Sequence, residues 1–166
     1  MKLSLDEISN WLSFEDLCHA YFESEKDLNR KDIRDIKVEK SGTGPDDGFD
    51  LIITIIVTDG IESFERKWVV QCKFYEEDIS PAHLNKDNIP GLIHSYGATG
   101  YLLICKKNPT AKMTRFFKEL NNNCRFKYCY KIWTGEQFCR FIETQNNSVI
   151  LKRFFPEYHK FISSSI

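Results

Sequence analysis

Two β-rich runs joined by an Asp-Gly turn constrain this chain more than any other feature of its sequence. The first run covers residues 51–57 (LIITIIV) and the second covers residues 64–75. Between them, Asp59-Gly60 is the dipeptide most typical of a tight β-hairpin turn. The sequence therefore predicts an antiparallel hairpin at the centre of the molecule.

The length of the turn decides which residues face each other across this hairpin. A two-residue turn pairs Asp50 with Val69, and a loop two residues longer pairs Asp50 with Gln71. Both registers have the same parity, since side chains alternate between the two faces of a strand. We therefore expect Asp50, Gln71 and Lys73 to project from one face in either case. The other face is predicted to be apolar and collects Leu51, Ile53, Ile55, Val57, Trp68, Val70, Cys72 and Phe74.

A glycine-rich turn, GTGPDDG at residues 42–48, leads into Asp50. Glycine allows the backbone to approach a ligand closely. Asp46, Asp47 and Asp50 crowd this turn, and their mutual repulsion favours binding of a cation. The hairpin thus offers a carboxylate, an amide and an ammonium as a candidate site. The alternative interpretation is a strand pair with one solvated, polar face and no chemical role.

The residues around this candidate site resemble a known family. The segments 41–51 (SGTGPDDGFDL) and 69–75 (VVQCKFY) are similar to the Mrr-type restriction endonucleases of the PD-(D/E)XK superfamily, to which archaeal Holliday junction resolvases are also related. The resemblance extends from an amino-terminal helix with Phe14 and Glu15 to about Ile142. It implies an α/β fold with a restriction-endonuclease-like core, a mixed central β-sheet flanked by α-helices.

The resemblance also implies a role for each polar residue. Asp50, the amide oxygen of Gln71 and the backbone carbonyl of Cys72 would hold Mg²⁺, for which Mn²⁺ is a possible substitute. Glu15 would be an outer or second-metal ligand, and Lys73 would assist the attacking water. Gln71 stands where most of the superfamily has an acid, so the site has one negative charge fewer.

The function that follows from the resemblance is Mg²⁺-dependent endonucleolytic hydrolysis of DNA. Its expected setting is restriction or defence against foreign DNA, with the chain acting by itself or as the nuclease domain of a larger effector. The expected partners are DNA and further copies of the chain, as a homodimer or higher oligomer. Asp47 is expected to support the site or to keep the turn rigid.

Two alternative functions stay open. One is a structure-selective junction or repair nuclease, whose two sites would have to be spaced across a branched duplex. The other is a non-catalytic nuclease-like module for nucleic-acid binding or assembly. The presence of Asp50, Gln71 and Lys73 together argues against the second. The sequence leaves open the cleavage specificity, the choice between DNA and RNA, and the activator.

The amino-terminal region is predicted to contain two short helices. Ser4 and Glu7 form a capping box that opens a helix ending near Leu12, and Ser13 opens the next. Glu15 would then be the second residue of that helix. Its carboxylate is interpreted either as a ligand or as a charge that stabilises the helix macrodipole.

The remaining pattern predicts a single domain over residues 1–166, with helices and strands that alternate after the hairpin. Residues 23–35 read as a charged loop, Ser80-Pro81 as a helix start and Pro90-Gly91 as an interruption. The segment 149–162 is expected to cap the core or to form part of a dimer interface. Further strands are predicted at 33–41, 99–105 and 126–133, and further helices at 108–120 and after Thr134.

Charge is distributed unevenly along the chain, although the formal net charge is only -1. Residues 1–100 hold 11 Lys and Arg against 20 Asp and Glu (-9), and residues 101–166 hold 12 against 4 (+8). A basic second half suits contact with phosphates while the acidic half supplies metal ligands. The alternative is that the two halves neutralise each other across the fold.

Composition favours a soluble, cytoplasmic protein. The sequence has no apolar run of about 18 residues, and its start lacks the features of a signal peptide. The six cysteines have no zinc-ligand spacing. They are therefore expected to be reduced thiols, several of them in the core.

Overall fold

The computed structural model describes residues 1–28, 30–41, 48–84, 88–123 and 125–164. Within these ranges the strands form one mixed sheet, as predicted. Its strands, in chain order, are β1 (Ile33–Lys40), β2 (Leu51–Thr58), β3 (Ser63–Lys73), β4 (Gly100–Cys105) and β5 (Cys129–Trp133). They lie side by side in the same order, with β1, β2 and β3 antiparallel and β3, β4 and β5 parallel.

Helices cover both faces of this sheet. One face carries α1 (Trp11–Ser24), α4 (Gly135–Gln145) and α5 (Ser148–Phe154), and the other carries α2 (Ile89–Ser95) and α3 (Ala111–Asn123). The helix α6 (Pro156–Ser163) follows α5. Short 3-10 turns occur at Leu5–Glu7, Glu25–Leu28 and Pro81–Leu84. This layered arrangement confirms the predicted α/β class.

Two apolar cores form, one on each face of the hairpin. Leu51, Ile53 and Val70 belong to the core under α1 and α4, as the apolar-face prediction required. Ile52 and Val69, on the face that bears Gln71, are also buried, in the core under α2 and α3. The hairpin is thus covered on both faces, and its polar chemistry is confined to one end. Burying both faces is expected for a strand pair that joins a parallel sheet.

The register of the hairpin is the longer of the two that the sequence allowed. Thr58 pairs with Ser63 and Leu51 pairs with Val70, so four residues form the turn. The Asp59 carboxylate accepts the backbone N–H groups of the second and third residues after it, at 2.9 and 3.0 Å. This side-chain closure makes the longer loop favourable over a two-residue turn.

The prediction of two amino-terminal helices is wrong. A single helix, α1, begins at Trp11, because the Asn10 side chain accepts the backbone N–H of Ser13 at 2.9 Å and caps it. The capping-box residues before it form only the Leu5–Glu7 turn. Glu15 therefore lies in the second turn of α1, where the effect of the macrodipole is weak.

Two loop predictions are also wrong. Pro90-Gly91 does not interrupt a helix; it lies in the first turn of α2, where proline fits because no N–H is needed. The segment 23–35 is not simply a surface loop. Its Glu25 is buried, and Arg30 lies 2.7 Å from the Glu25 carboxylate. A local pattern of charges does not reveal such a partnered, buried acid.

The carboxyl-terminal segment caps the core. Leu151, Phe154 and Phe155 are buried in the core under α1, whereas Phe161 is 43% exposed. The five described cysteines are free thiols, and Cys124 lies outside the described residues. No described helix has the length and apolarity needed to cross a bilayer.

Gly135, the first residue of α4, provides a test of how this helix packs on the end of β4. A Cβ atom at this position would lie 1.9 Å from the Lys106 carbonyl oxygen. Gly135→Ala should therefore lower the free energy of unfolding by about 2–4 kcal/mol, since backbone must move. Chemical denaturation of the purified variant measures this loss.

Gly97→Ala is the matched control for this prediction. Gly97 has φ +58°, and a Cβ atom added there would meet no atom within 4 Å, so only backbone strain is added. The substitution should cost about 1 kcal/mol. Equal losses for the two variants would contradict the proposed close packing of α4 on Lys106.

Candidate metal and catalytic site

The predicted site residues meet at the edge of the sheet where β2 begins and β3 ends. Asp50 immediately precedes β2, and its backbone N–H donates to the Val70 carbonyl at 2.9 Å. The paired ladder ends at Leu51 and Val70, so Asp50 lies directly beyond it, bonded to the backbone of the two residues that flank Gln71. Lys73 is the last residue of β3. Asp50 is thus held against the strand that carries Gln71 and Lys73, whose side chains project from one face of that strand.

The Asp50 side chain is fixed by the backbone of β3. Its Oδ2 accepts the backbone N–H of Cys72 at 2.5 Å. This bond ties the carboxylate to the strand that carries the other two motif residues. Because a carboxylate anchored to backbone loses little further freedom when it binds a ligand, Asp50 is well prepared to hold a cation.

Glu15 reaches the same place from α1. Its carboxyl group lies within hydrogen-bonding reach of the Asp50 carboxylate. Burial, and then the charge of Asp50, raises the pKa of Glu15 to about 7, while Lys40 opposes this rise. Two carboxylates this close repel each other when both are ionised, so they share a proton or bind a cation.

Gln71 is buried at the floor of the site. It is 7% exposed, and its Oε1 accepts a hydrogen bond from the phenol of Tyr101 on β4. Sequence reasoning did not identify Tyr101, because the run 99–105 reads as an apolar central strand. The tyrosine inside that run could have indicated a polar contact, since a buried phenol usually has a hydrogen-bond partner.

Cys72 and Lys73 point to opposite faces. The Cys72 thiol lies on the α1 side, where hydrogen bonding to Cys18 and burial raise its pKa well above the usual value. A neutral thiol is a poor metal ligand, so only the backbone carbonyl of Cys72 suits the predicted role. Burial raises the pKa of the Cys105 thiol to about 12, and the charge of the Lys73 ammonium opposes this rise. The Lys73 side chain is therefore near Cys105.

The donor set fits a hard divalent cation. Two carboxylates, an amide oxygen and a backbone carbonyl are the oxygen ligands that Mg²⁺ prefers, and Mg²⁺ commonly binds proteins through one or two carboxylates. The described residues include no cluster of three or more His, Cys, Asp or Glu side chains arranged to hold a metal ion. Asp46 and Asp47, which the sequence placed near Asp50, lie outside the described residues.

The basic half of the chain is partly neutralised by acidic side chains and partly exposed. Lys106 is buried and pairs with Asp6 at 3.4 Å and with Glu76, so acidic and basic halves do neutralise each other there. In contrast, Lys112, Arg115 and Lys118 lie exposed along α3. This helix follows β4, whose carboxyl end pairs with Lys73. The segment that leads into α3 therefore starts at the edge of the sheet where β3 ends.

Comparison with known families agrees with this geometry. The model of the Mrr catalytic domain, described as a restriction endonuclease, matches residues 5–142. The chain belongs to this restriction endonuclease family. The match begins before α1, which carries Glu15, and ends within α4, so it includes every residue of the candidate site. No curated protein sequence matches the chain significantly.

Solved structures of two restriction endonucleases resemble this family member. The DNA modification-dependent restriction endonuclease AspBHI has a TM-score of 0.53 at 10% identity, over 100% of this chain and 43% of its own. MspJI restriction endonuclease, solved in complex with a 27-mer oligonucleotide, has a TM-score of 0.49 at 12% identity, over 92% of this chain and 38% of its own. The chain spans less than half the length of either protein. The likeness to AspBHI confirms the fold.

The raised pKa of Glu15, caused first by burial and then by the charge of Asp50, predicts a pH-dependent stability. Because the folded-state pKa of Glu15 is about 7 and its ordinary value is 4.5, the metal-free protein loses stability as pH rises from about 4.5 to 7. Glu15→Gln should remove this loss. Since Glu15 is only partly buried, we discount the full shift for solvent screening and expect about 1–2 kcal/mol at pH 8.

Thermal melting in a chelator at pH 5 and pH 8 measures this effect. The melting temperature of Glu15→Gln should exceed that of the wild type by about 3–6 °C at pH 8 and by little at pH 5. Glu119→Gln, which alters an exposed carboxylate on α3, is the control. A difference between Glu15→Gln and wild type that does not grow with pH would show that the pKa of Glu15 is not raised in the folded protein.

Proposed function

We propose that this chain is a nuclease domain that hydrolyses phosphodiester bonds of DNA with the help of Mg²⁺, for which Mn²⁺ can substitute. The observation that carries the proposal is the Glu15–Asp50 carboxylate pair, anchored beside Gln71 and Lys73. Structural carboxylates are normally kept apart or paired with cations. Two of them held together at the edge of a sheet, in a restriction endonuclease family member, indicate a cation-binding role.

In this proposal Asp50, the Gln71 oxygen and the Cys72 carbonyl hold the cation, and Glu15 holds it from the α1 side. The cation, when bound, neutralises charge on the phosphate and makes the attacking water more acidic. A bound cation would also offset the repulsion between Glu15 and Asp50, so that both carboxylates could be ionised. The loss of one acid at Gln71 is offset because Glu15 supplies a second carboxylate.

Lys73 is the residue of the protein that assists the chemical step. The oxygen of a water molecule forms a bond to phosphorus, and the bond between phosphorus and one bridging oxygen breaks. Lys73 orients this water and stabilises the negative charge that grows on the phosphate oxygens. The water loses a proton during attack, and the departing oxygen gains one from solvent. Lys73 is suited to this role because it lies on the same face as Gln71, at the end of β3.

The proposed substrate is duplex DNA, contacted in part through α3. Exposed cations at Lys112, Arg115 and Lys118 recur every three residues and so lie along one side of the helix. Such a row suits the regularly spaced phosphates of a nucleic-acid backbone. The proposal also includes a role in defence and activity as a homodimer or larger oligomer. It includes a cytoplasmic location, which the free thiols support.

Cleavage and metal binding should separate in two variants. Lys73→Ala should lower cleavage of supercoiled plasmid by a factor on the order of 10³ while Mn²⁺ binding persists, because lysine acts on water and charge rather than on the cation. Asp50→Ala should lose both plasmid cleavage and Mn²⁺ binding. Plasmid nicking assays and calorimetric Mn²⁺ titrations on the same samples measure the two properties.

Lys67→Ala is the control for Lys73→Ala. Lys67 lies on the same strand and the same face, six residues upstream, and should leave cleavage within about twofold. Equal loss in both lysine variants would show a general effect of charge. Undiminished cleavage by Lys73→Ala would remove Lys73 from the mechanism, and unchanged Mn²⁺ titration of Asp50→Ala would remove Asp50 from the site.

DNA binding through α3 has a characteristic salt dependence. The double variant Lys112→Ala/Arg115→Ala should bind duplex DNA more weakly, and the slope of log affinity against log salt should become shallower by about 2, since each phosphate contact contributes about 0.9. Fluorescence anisotropy at several salt concentrations, with Ca²⁺ in place of Mg²⁺, measures this slope.

Lys152→Ala/Lys160→Ala is the matched control, because it removes two exposed charges from α5 and α6 on the other side of the molecule. It should change the slope little. If both double variants change the slope equally, the chain binds DNA through its overall charge and α3 is not the contact surface.

A further inference from the structure

A group of aromatic rings lies at the surface on the α2 and α3 side of the molecule, and the proposed catalytic site does not use it. His94 is in the last turn of α2, and Phe126 and Tyr128 precede β5. The Phe126 ring lies 5.7 Å from that of His94 and 5.5 Å from that of Tyr128, centroid to centroid. Both pairs are close to parallel, with interplanar angles of 32° and 24°. We call these three residues the surface aromatic cluster.

Contacts among its own members hold this cluster in a fixed arrangement. Nδ1 of His94 lies 3.2 Å from the Tyr128 hydroxyl, within hydrogen-bonding distance. The Tyr128 backbone N–H donates to the Phe126 carbonyl at 2.8 Å. Tyr128 is half-buried and packs against the core under α2 and α3. The rings are therefore positioned before a ligand arrives, which lowers the entropy lost on binding.

The Phe126 ring is open to solvent on one side. It is 51% exposed although it contacts two other rings. Because His94 and Tyr128 also contact each other, they lie close together on one side of Phe126 and leave its other side uncovered. A group of aromatic side chains that is exposed and held in place is typical of a surface that binds a partner.

The charge around the cluster indicates which partner fits it. Residues 88–134 contain one acid, Glu119, against eight basic residues, which are Lys106, Lys107, Lys112, Arg115, Lys118, Arg125, Lys127 and Lys131. Six of the eight are exposed, and only Lys106 and Lys107 are not. Arg125 and Lys127 alternate with Phe126 and Tyr128 along the chain. Cations beside aromatic faces suit a polyanion that also carries flat rings, which is the chemistry of a nucleic acid.

The rings also indicate which form of nucleic acid fits the cluster. In a duplex each base is covered above and below by its neighbours in the stack, so a ring on the protein surface finds no free base face. An unpaired base has such a face, and bases of any sequence stack on aromatic side chains. The cluster is therefore matched to unpaired nucleotides.

We propose that the surface aromatic cluster, together with Arg125 and Lys127, binds an unpaired segment of DNA. Phe126 stacks on a base, while His94 and Tyr128 support its ring from the other side. The two cations contact neighbouring phosphates. This contact goes beyond the proposed catalytic site, since it requires neither a metal nor Lys73. It adds a preference for DNA with unpaired nucleotides to the duplex contact proposed for α3.

Binding of a single-stranded oligothymidylate of about 15 nucleotides, a length that covers one such site, tests the proposal. Fluorescence anisotropy in a chelator measures the affinity without contributions from metal binding or cleavage. Phe126→Ala should weaken binding about tenfold, a typical loss when a stacking ring is removed. It should leave the affinity for a duplex of the same length within about twofold, because paired bases offer no free face.

Phe126→Trp and Trp11→Ala are the matched controls. Tryptophan at position 126 keeps a stacking ring and should leave oligothymidylate affinity within about twofold of the wild type. Trp11 is 57% exposed at the start of α1, on the other face of the sheet. Its replacement removes an exposed aromatic ring far from the cluster and should change the affinity by less than about twofold. Thermal melting of each variant tests whether the fold is retained.

Salt dependence separates stacking from phosphate contact. Arg125→Ala/Lys127→Ala should make the slope of log affinity against log salt shallower by about 1.4, since each phosphate contact on a single strand contributes about 0.7. Phe126→Ala should lower the affinity and leave the slope unchanged, because an uncharged ring releases no counterions.

Photo-crosslinking of the unaltered protein avoids any dependence on how the variants fold. An oligonucleotide that carries 4-thiothymidine should become attached to His94 or to residues 125–128, because such crosslinks form on direct contact. Peptide mapping identifies the attached residues. Attachment confined to other parts of the chain would overturn the proposal.

The outcomes separate this proposal from the proposed nuclease. A loss in Phe126→Ala that is confined to single strands, with the crosslink at the cluster, supports it. No binding of oligothymidylate by the wild type, no loss in Phe126→Ala, or equal losses for single strand and duplex overturn it. If Phe126→Ala changes the sedimentation coefficient and not the DNA affinity, the cluster is a contact between copies of the chain and the proposal is wrong. None of these results bears on plasmid cleavage and Mn²⁺ binding, which test the nuclease.

Discussion

The antiparallel register of β2 and β3 is the constraint on which the site depends. With Thr58 opposite Ser63, the pairs along the hairpin are determined as far as Leu51 opposite Val70, which leaves Asp50 at the end of the ladder with its N–H donated to the Val70 carbonyl. A slip of one residue would turn Asp50 to the other face, and a slip of two would move it away from the amide. The hydrogen bond from the Cys72 N–H to the Asp50 carboxylate then locks this end of the ladder.

Holding the Glu15 and Asp50 carboxylates together costs free energy, which the packing of the fold offsets. Glu15 is carried toward Asp50 by α1, whose buried face packs against the hairpin. That packing holds Glu15 partly buried beside Asp50, and burial and then the charge of Asp50 raise the pKa of Glu15 to about 7. Such locally unfavourable arrangements are common where a ligand later supplies the missing charge. The same logic applies to Gln71, a polar side chain kept in the core by its contact with Tyr101.

The features that the sequence predicted well are those with strong local signals. The hairpin, the buried strand at β4 and the capped start of α4 each follow from a repeating apolar pattern or a specific turn or cap residue. The restriction endonuclease resemblance, carried by the residues around Asp50 and Gln71, is confirmed by the family match. The wrong predictions fall where two residues could each cap a helix, as at Asn10 and Ser13, or where proline can either interrupt a helix or lie in its first turn, as at Pro90.

The sequence by itself determined the α/β class, the hairpin and the parity that puts Gln71 and Lys73 on one face of β3, because alternation along a strand is a local property. It did not determine the turn length, since both registers satisfy the same alternation. Only the tertiary structure decided that Glu15 meets Asp50 and that Tyr101 holds Gln71. These contacts join residues that are 35 and 30 positions apart, and they exist because separate elements pack against one sheet. Distances of that kind are set by the packing of whole elements, which no local pattern contains.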